Sequence, residues 1–177
     1  MSRRVLVSLF AVLLVGGALV FGPARPLVSH LAHALGLRSA VTPAQPGAPM
    51  PALALENLDG TPATLPQQGT VVYNVFASWC QPCNQELPDL LLAQKELKKR
   101  GVRFVGIDRG EPPQRVAAFV QAQGIGYPVL LDSTSSTARL LGARVIPETL
   151  IVQDGTVKSV IVGPTTASQL TRAVENV

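Results

Sequence analysis

Residues 71–77, Val-Val-Tyr-Asn-Val-Phe-Ala, form a nearly continuous run of apolar, β-branched and aromatic side chains. Such a run reads as a strand covered on both faces, which requires a parallel or mixed sheet with layers packed above and below it. Ser78 and Trp79 follow, then Cys80-Gln81-Pro82-Cys83, then a helical pattern through Leu87, Leu90, Leu91, Ala93 and Leu97. This pattern predicts a helix over 81–100, bent at Pro88 and stopped by Lys95, Lys98, Lys99 and Arg100 ahead of Gly101. The cysteine pair therefore falls at the junction of a buried strand and a long helix.

The alternation continues downstream. Leu53–Leu55 and the turn-forming residues 57–61 read as a short strand entering a hairpin. Strands are expected at 102–107, 127–131, 149–153 and 157–162, the last two joined through Asp154-Gly155. Helices are expected over 112–123, 134–141 and 167–177, the first opening on Pro112 and Pro113. The order β–turn–β–α–β–α–β–α–β–β–α gives one α/β domain over 52–177, a central mixed sheet flanked by helices, without internal repeats.

The N-terminal part is of another kind. Val5 to Gly22 is an 18-residue stretch without charge, preceded by Arg3 and Arg4. It is about long enough to cross a bilayer core as a helix, and the arginines assign its start to the cytoplasmic side. The expectation is a signal-anchor transmembrane helix over 1–22, retained rather than cleaved, with everything after Pro23 outside the cytoplasm. Residues 23–51 read as a juxtamembrane segment and a Pro/Ala-rich linker, with Pro43, Pro46, Pro49 and Pro51 near its end. His30 and His33, three apart in it, read as solvated or interfacial and not as metal ligands.

Charge narrows the partners. Of 15 basic side chains, Arg3, Arg4 and Arg25 lie in residues 1–37, which hold no acidic residue, so the 12 others nearly balance 11 carboxylates and +3 of the +4 total belongs to the leader. No basic face is left to grip phosphates, and no nucleic-acid partner is expected.

Only two cysteines are present, three positions apart, too close to staple a fold and too few for a structural zinc site. Their spacing points to redox chemistry. At a helix N-terminus, Cys80 meets unpaired N–H groups and the positive end of the helix dipole, which favour the thiolate. Pro82 fits the first turn, where its missing N–H costs nothing. Cys80 is then the attacking sulfur and Cys83 the one that resolves the mixed disulfide.

Asn74 to Pro88, with Cys80-Gln81-Pro82-Cys83 at its centre, resembles the thioredoxin superfamily, and most closely its membrane-anchored extracytoplasmic branch containing TlpA, ResA and CcmG (DsbE). A second match is Val145-Ile146-Pro147-Glu148-Thr149. The resemblance covers roughly residues 50–177 and implies a thioredoxin-like fold and a protein thiol–disulfide oxidoreductase. It implies that Pro147 is a cis-proline facing the cysteines, with the peptide at Ile146 free to pair with a bound client chain. Glu86 matches the acidic residue that such reductases use to influence cysteine proton chemistry, and Trp79 would shield the disulfide. Trp79, Gln81, Pro82 and Ile146 form the expected client-binding set; Cys80, Cys83, Glu86 and Pro147 form the catalytic set. The implied clients are disulfides of apocytochrome c or other exported proteins, with a membrane electron donor of the CcdA/DsbD type and no cofactor beyond the redox-active disulfide.

Two departures stand out. Asn74 occupies the place of the buried aspartate of cytoplasmic thioredoxins, so a proton for Cys83 has to come from Glu86 or water. Residues 123–128 are also shorter than the insertion that CcmG members carry there. Other function classes are a general oxidase or isomerase, a peroxiredoxin and a copper-binding chaperone. The second needs a Pro-x-x-x-Thr-x-x-Cys pattern, which Phe76-Ala77-Ser78-Trp79 does not supply before Cys80. The third needs a further soft ligand beyond the cysteine pair.

Overall fold

The computed structural model of the chain describes residues 44–177, which make up nearly all of one compact unit, Val41–Val177. The anchor expected over 1–22, the segment with His30 and His33, and most of the expected 23–51 linker lie outside the described residues. Among the described residues no helix is long and apolar enough to cross a membrane.

A seven-stranded mixed sheet runs β2-β1-β5-β4-β3-β6-β7. Its strands are β1 (Leu55–Glu56), β2 (Pro62–Ala63), β3 (Thr70–Phe76), β4 (Arg103–Asp108), β5 (Val129–Leu131), β6 (Glu148–Gln153) and β7 (Thr156–Val162). The predicted buried strand is β3. It pairs in parallel with β4, from Val71 opposite Arg103 to Phe76 opposite Asp108, and antiparallel with β6, from Thr70 opposite Gln153 to Val75 opposite Glu148.

Alternation along β3 sends its side chains into two cores. Val72 and Phe76 pack with Leu87, Leu90 and Leu97 of helix α1 (Gln81–Lys98), Val116 of α2 (Pro113–Gln123), and Leu170 and Val174 of α3 (Ala167–Glu175). Val71, Tyr73 and Val75 pack on the other face with Met50, Leu53, Leu65, Leu141 and Leu150. Asn74 shares the parity of Val72 and Phe76 and so faces α1.

Three local results differ from the sequence pattern. β5 begins at Val129 and not at Tyr127, because Pro128 has no N–H to give a ladder; its carbonyl still accepts from the Gly106 N–H at 2.9 Å. The helix expected over 134–141 is a single π-type turn, Thr137–Leu141. The buried carboxylate of Asp132 takes the N–H and hydroxyl of both Ser136 and Thr137, at 2.5–2.9 Å, and so diverts the groups that would start a longer helix. The chain from Ala44 is also tied down. Gly47 and Met50 donate to the carbonyls of Val157 and Gly155, both at 2.8 Å, and Val157 donates back to Ala48 at 2.9 Å. The prolines here lack only donors; the N–H groups between them and the Ala48 carbonyl make these bonds. They cover the start of β7 beside the hairpin turn, where Asp154 and Gly155 both have positive φ (47° and 73°) as a two-residue turn of this hand requires.

Candidate active site

β3 ends at Phe76, and the chain passes through Ala77, Ser78 and Trp79 into α1, with Cys80 as the N-cap in an extended conformation. Cys80 and Cys83 are joined by a disulfide with their Cα atoms 5.3 Å apart, and both are buried. The Cys83 N–H points at Cys80 Sγ, 3.2 Å away. That donor and the helix N-terminus stand ready to stabilise a thiolate on Cys80 once the disulfide is opened. The flanking Gln81 and Pro82 are exposed, and Trp79 is 66% exposed, a large apolar surface beside the sulfurs.

The loop into β6, whose first residue Glu148 pairs with Val75 near the end of β3, carries Val145, Ile146 and Pro147. The Ile146–Pro147 peptide is cis, Pro147 is buried, Ile146 is half-buried and Val145 is 58% exposed. Glu148, next in the chain and the first residue of β6, is buried; burial raises its pKa and the charge of Arg109 opposes that rise.

One turn past Cys83, on the same buried side of α1, lies Glu86, which is 3% exposed. It is not a solvated helix charge. One carboxylate oxygen accepts from Asn74 Nδ2 at 2.9 Å and the other from the Thr165 N–H at 2.9 Å, and Asn74 Nδ2 also donates to Thr149 Oγ1 at 3.0 Å. Burial pushes the Glu86 carboxyl above the ordinary carboxylate range, with the two hydrogen bonds partly offsetting it. Asn74 and Cys83 also line one small cavity, of about 10 Å³, with Phe76, Leu87, Phe119, Ile125 and Tyr127. The structure thus brings Cys80, Cys83, Asn74 and Glu86 together on the strand–helix junction. The roomier groove lined by Val102, Phe104, Tyr127 and Pro128, of about 360 Å³, touches neither cysteine.

Sequence reading missed a second set of side chains. Ser78 gives both its N–H (2.5 Å) and its hydroxyl (2.7 Å) to the carboxylate of Glu111, and the Glu111 N–H binds Asp108 Oδ1 at 2.8 Å. Asp108 closes β4 in register with Phe76. A carboxylate at the C-terminal end of a strand parallel to β3 was the available signal, since such strand ends gather sites in open α/β sheets. Thr165, which holds Glu86 from a distance of 79 residues, left no such signal.

Comparison with known proteins agrees with this geometry. The sequence model of the AhpC/TSA family matches residues 46–160. The thiol–disulfide oxidoreductase ResA of Geobacillus thermodenitrificans is 27% identical over 134 residues, which are 74% of this chain and 77% of its own. ResA of Bacillus subtilis is 29% identical over 127 residues, 70% of this chain and 71% of its own. Among solved structures, a thiol:disulfide interchange protein of the thioredoxin family from Chlorobium tepidum superposes with a TM-score of 0.64. It is 31% identical, over 76% of this chain and 98% of that one.

Proposed function

The chain belongs to the AhpC/TSA family, within which it is a thioredoxin-like thiol–disulfide oxidoreductase, and we propose that it is a membrane-tethered, extracytoplasmic reductant of client disulfides. The observation that carries the dithiol chemistry is Glu86, and its match to the acidic residue of the family's reductases supports the reductant direction. A carboxyl held in a buried network, with its pKa raised by burial, is a proton acceptor and donor for Cys83 that needs no external base.

In the proposed cycle the Cys80 thiolate attacks one sulfur of a client disulfide. That S–S bond breaks, a mixed disulfide forms, and the first client sulfur leaves as a thiolate that takes up a proton. Cys83 passes its proton to Glu86 and attacks Cys80 Sγ. The second client sulfur leaves, the Cys80–Cys83 disulfide re-forms, and two electrons have moved to the client. A dithiol donor restores the reduced pair, and the disulfide itself is the only redox group required. Pro147 has no N–H to present to the sulfurs, and the backbone beside Ile146 pairs with the client while Trp79, Gln81 and Pro82 cover it.

The uncharged stretch after Arg3 and Arg4 supports an anchor that sets this chemistry outside the cytoplasmic membrane. The likeness of Pro147-Glu148-Thr149 to the CcmG branch supports apocytochrome c, or similar exported proteins, as clients, and a CcdA/DsbD-type membrane protein as donor, while the ResA relatives support thiol–disulfide exchange itself. A peroxidase reading lacks its threonine, since Ser78 and Trp79 precede Cys80. The test is the reduction potential of the pair. A reductant requires a value well below that of a strong oxidant such as DsbA, about −120 mV; a value near that figure would overturn the direction. Cys80→Ser is expected to abolish insulin-disulfide reduction, and retained activity would remove Cys80 as nucleophile.

A further inference from the structure

The cycle above leaves unused the acidic pair beneath the turn that delivers Cys80. Asp108 is fully buried and Glu111 is 8% exposed. Glu111 grips Ser78, two residues before Cys80, through both its N–H and its hydroxyl. Asn84, from the first turn of α1, donates to the Ser78 carbonyl at 3.0 Å, so this residue is fixed from both sides. Asp108 Oδ1 accepts the Glu111 N–H, whereas Asp108 Oδ2 is buried without a hydrogen-bond partner among the described residues. An ionised oxygen in that position is costly, and a protonated one has the Glu111 carboxylate beside it as acceptor.

The charged neighbours do not neutralise the pair. Arg115 reaches from α2 only to 3.9 Å of Glu111 Oε2. Arg109 donates to the Arg144 carbonyl at 3.1 Å and its charge acts on Glu148. Asp132, which follows β5, spends its carboxylate on Ser136 and Thr137 and meets Asp108 only through its backbone N–H, at 2.9 Å.

We propose that Asp108 and Glu111 are positioning residues that share one proton, and that this proton fixes the Ser78–Cys80 turn and so sets the reactivity of the Cys80 sulfur. Asp108 carries the proton and Glu111 the charge. Burial first, and then the adjacent Glu111, push the Asp108 carboxyl up to about 7, whereas Glu111, despite its own burial, is held low by Ser78 and Asp108. As the pH rises through that value the proton leaves, two neighbouring carboxylates repel, and the grip on Ser78 loosens. Added negative charge near the turn also disfavours a thiolate on Cys80. The inference rests on Cys80 being the attacking sulfur of the proposed cycle, but not on the direction of electron flow or on any client.

The experiment is the rate at which iodoacetamide alkylates Cys80 in the reduced full chain, in detergent, as a function of pH. The wild type is expected to show two titrations, that of the Cys80 thiol and a second near neutrality. Asp108→Asn, which keeps an acceptor for the Glu111 N–H and cannot ionise, is expected to lose the second step. Glu111→Gln, which cannot accept two hydrogen bonds as a charged group, is expected to slow alkylation by about tenfold. An unchanged two-step profile in a folded Asp108→Asn protein, or an unchanged rate in Glu111→Gln, overturns the proposal. Should Asp108→Asn not fold, infrared spectroscopy decides: the wild type must show a buried protonated carboxyl band that disappears as pH rises past about 7 and that Glu111→Gln shifts or removes, which sets it apart from Glu86 and Glu148; its absence at lower pH, or its persistence unchanged in Glu111→Gln, overturns the proposal equally. Failure of the functional reading shows elsewhere, as alkylation and insulin reduction that survive in Cys80→Ser.

Discussion

At the scale of single residues, the site is a set of polar groups whose partners lie far off in sequence. Glu86 shows how much this matters. Three positions after Cys83 on a helix, it reads from sequence as either a surface charge or a functional acid, and the spacing cannot separate the two. The structure separates them through Asn74, 12 residues earlier, and Thr165, 79 residues later. Glu86→Gln would put an amide NH2 against one of these two donors. It is expected to cost about 1–3 kcal/mol in urea unfolding, the penalty of a buried donor left without its acceptor. It is also expected to slow the resolving step by Cys83, read as accumulation of the mixed disulfide. The linkage has a definite sign. A carboxyl whose pKa is raised on folding stabilises the fold at low pH, and that contribution fades as pH rises through the raised value. As pH rises above the ordinary carboxylate range, stability should therefore fall less steeply in the Gln variant. The cysteines themselves were legible without any of this, because a Cys-x-x-Cys at a strand–helix junction carries its chemistry in its spacing. Asp108 and Glu111 were not, since nothing in Asp-Arg-Gly-Glu announces that its carboxylates hold Ser78 from 33 residues away.

Among the elements, those with a strong period were legible and those shaped by one side chain were not. β3, α1, β4 and the β6–β7 hairpin follow from apolar patterning and from Asp154-Gly155. The turn at Thr137–Leu141 does not, because Asp132 decides it. With its carboxylate buried yet receiving four hydrogen bonds, Asp132 is held below the ordinary carboxylate range, burial being outweighed by Ser136 and Thr137. Asp132→Ala is expected to lower stability by roughly 2–3 kcal/mol near neutral pH, because it leaves buried donors without their charged acceptor. The penalty should shrink as pH falls through the usual carboxylate range, where the wild-type group gives up its own advantage. Urea midpoints measured for both proteins at neutral and acid pH check this; a loss that stays constant with pH would point to packing instead.

For the whole molecule, the mixed sheet and its two cores were foreseeable from the element order, while the place where the folded part begins was not. A proline-rich composition reads as a linker as far as Pro51, yet the described chain is already hydrogen-bonded at Ala44, and Met50 is 7% exposed within the second core. A chain starting at residue 52 should therefore be less stable than one starting at 44, by about 2 kcal/mol for the buried Met50 side chain alone. Equal thermal midpoints for the two would show that the segment contributes nothing. Its attachment has a mechanical consequence as well. Tension arriving along the polypeptide from its N-terminal side is taken up first between Ala44 and Leu141, then by the rungs joining Gly47, Ala48 and Met50 to Gly155 and Val157. None of these partners lies in β3 or α1, so the clamp at the start of β7 must give way before the chain can be peeled along its length toward the strand that presents the sulfurs.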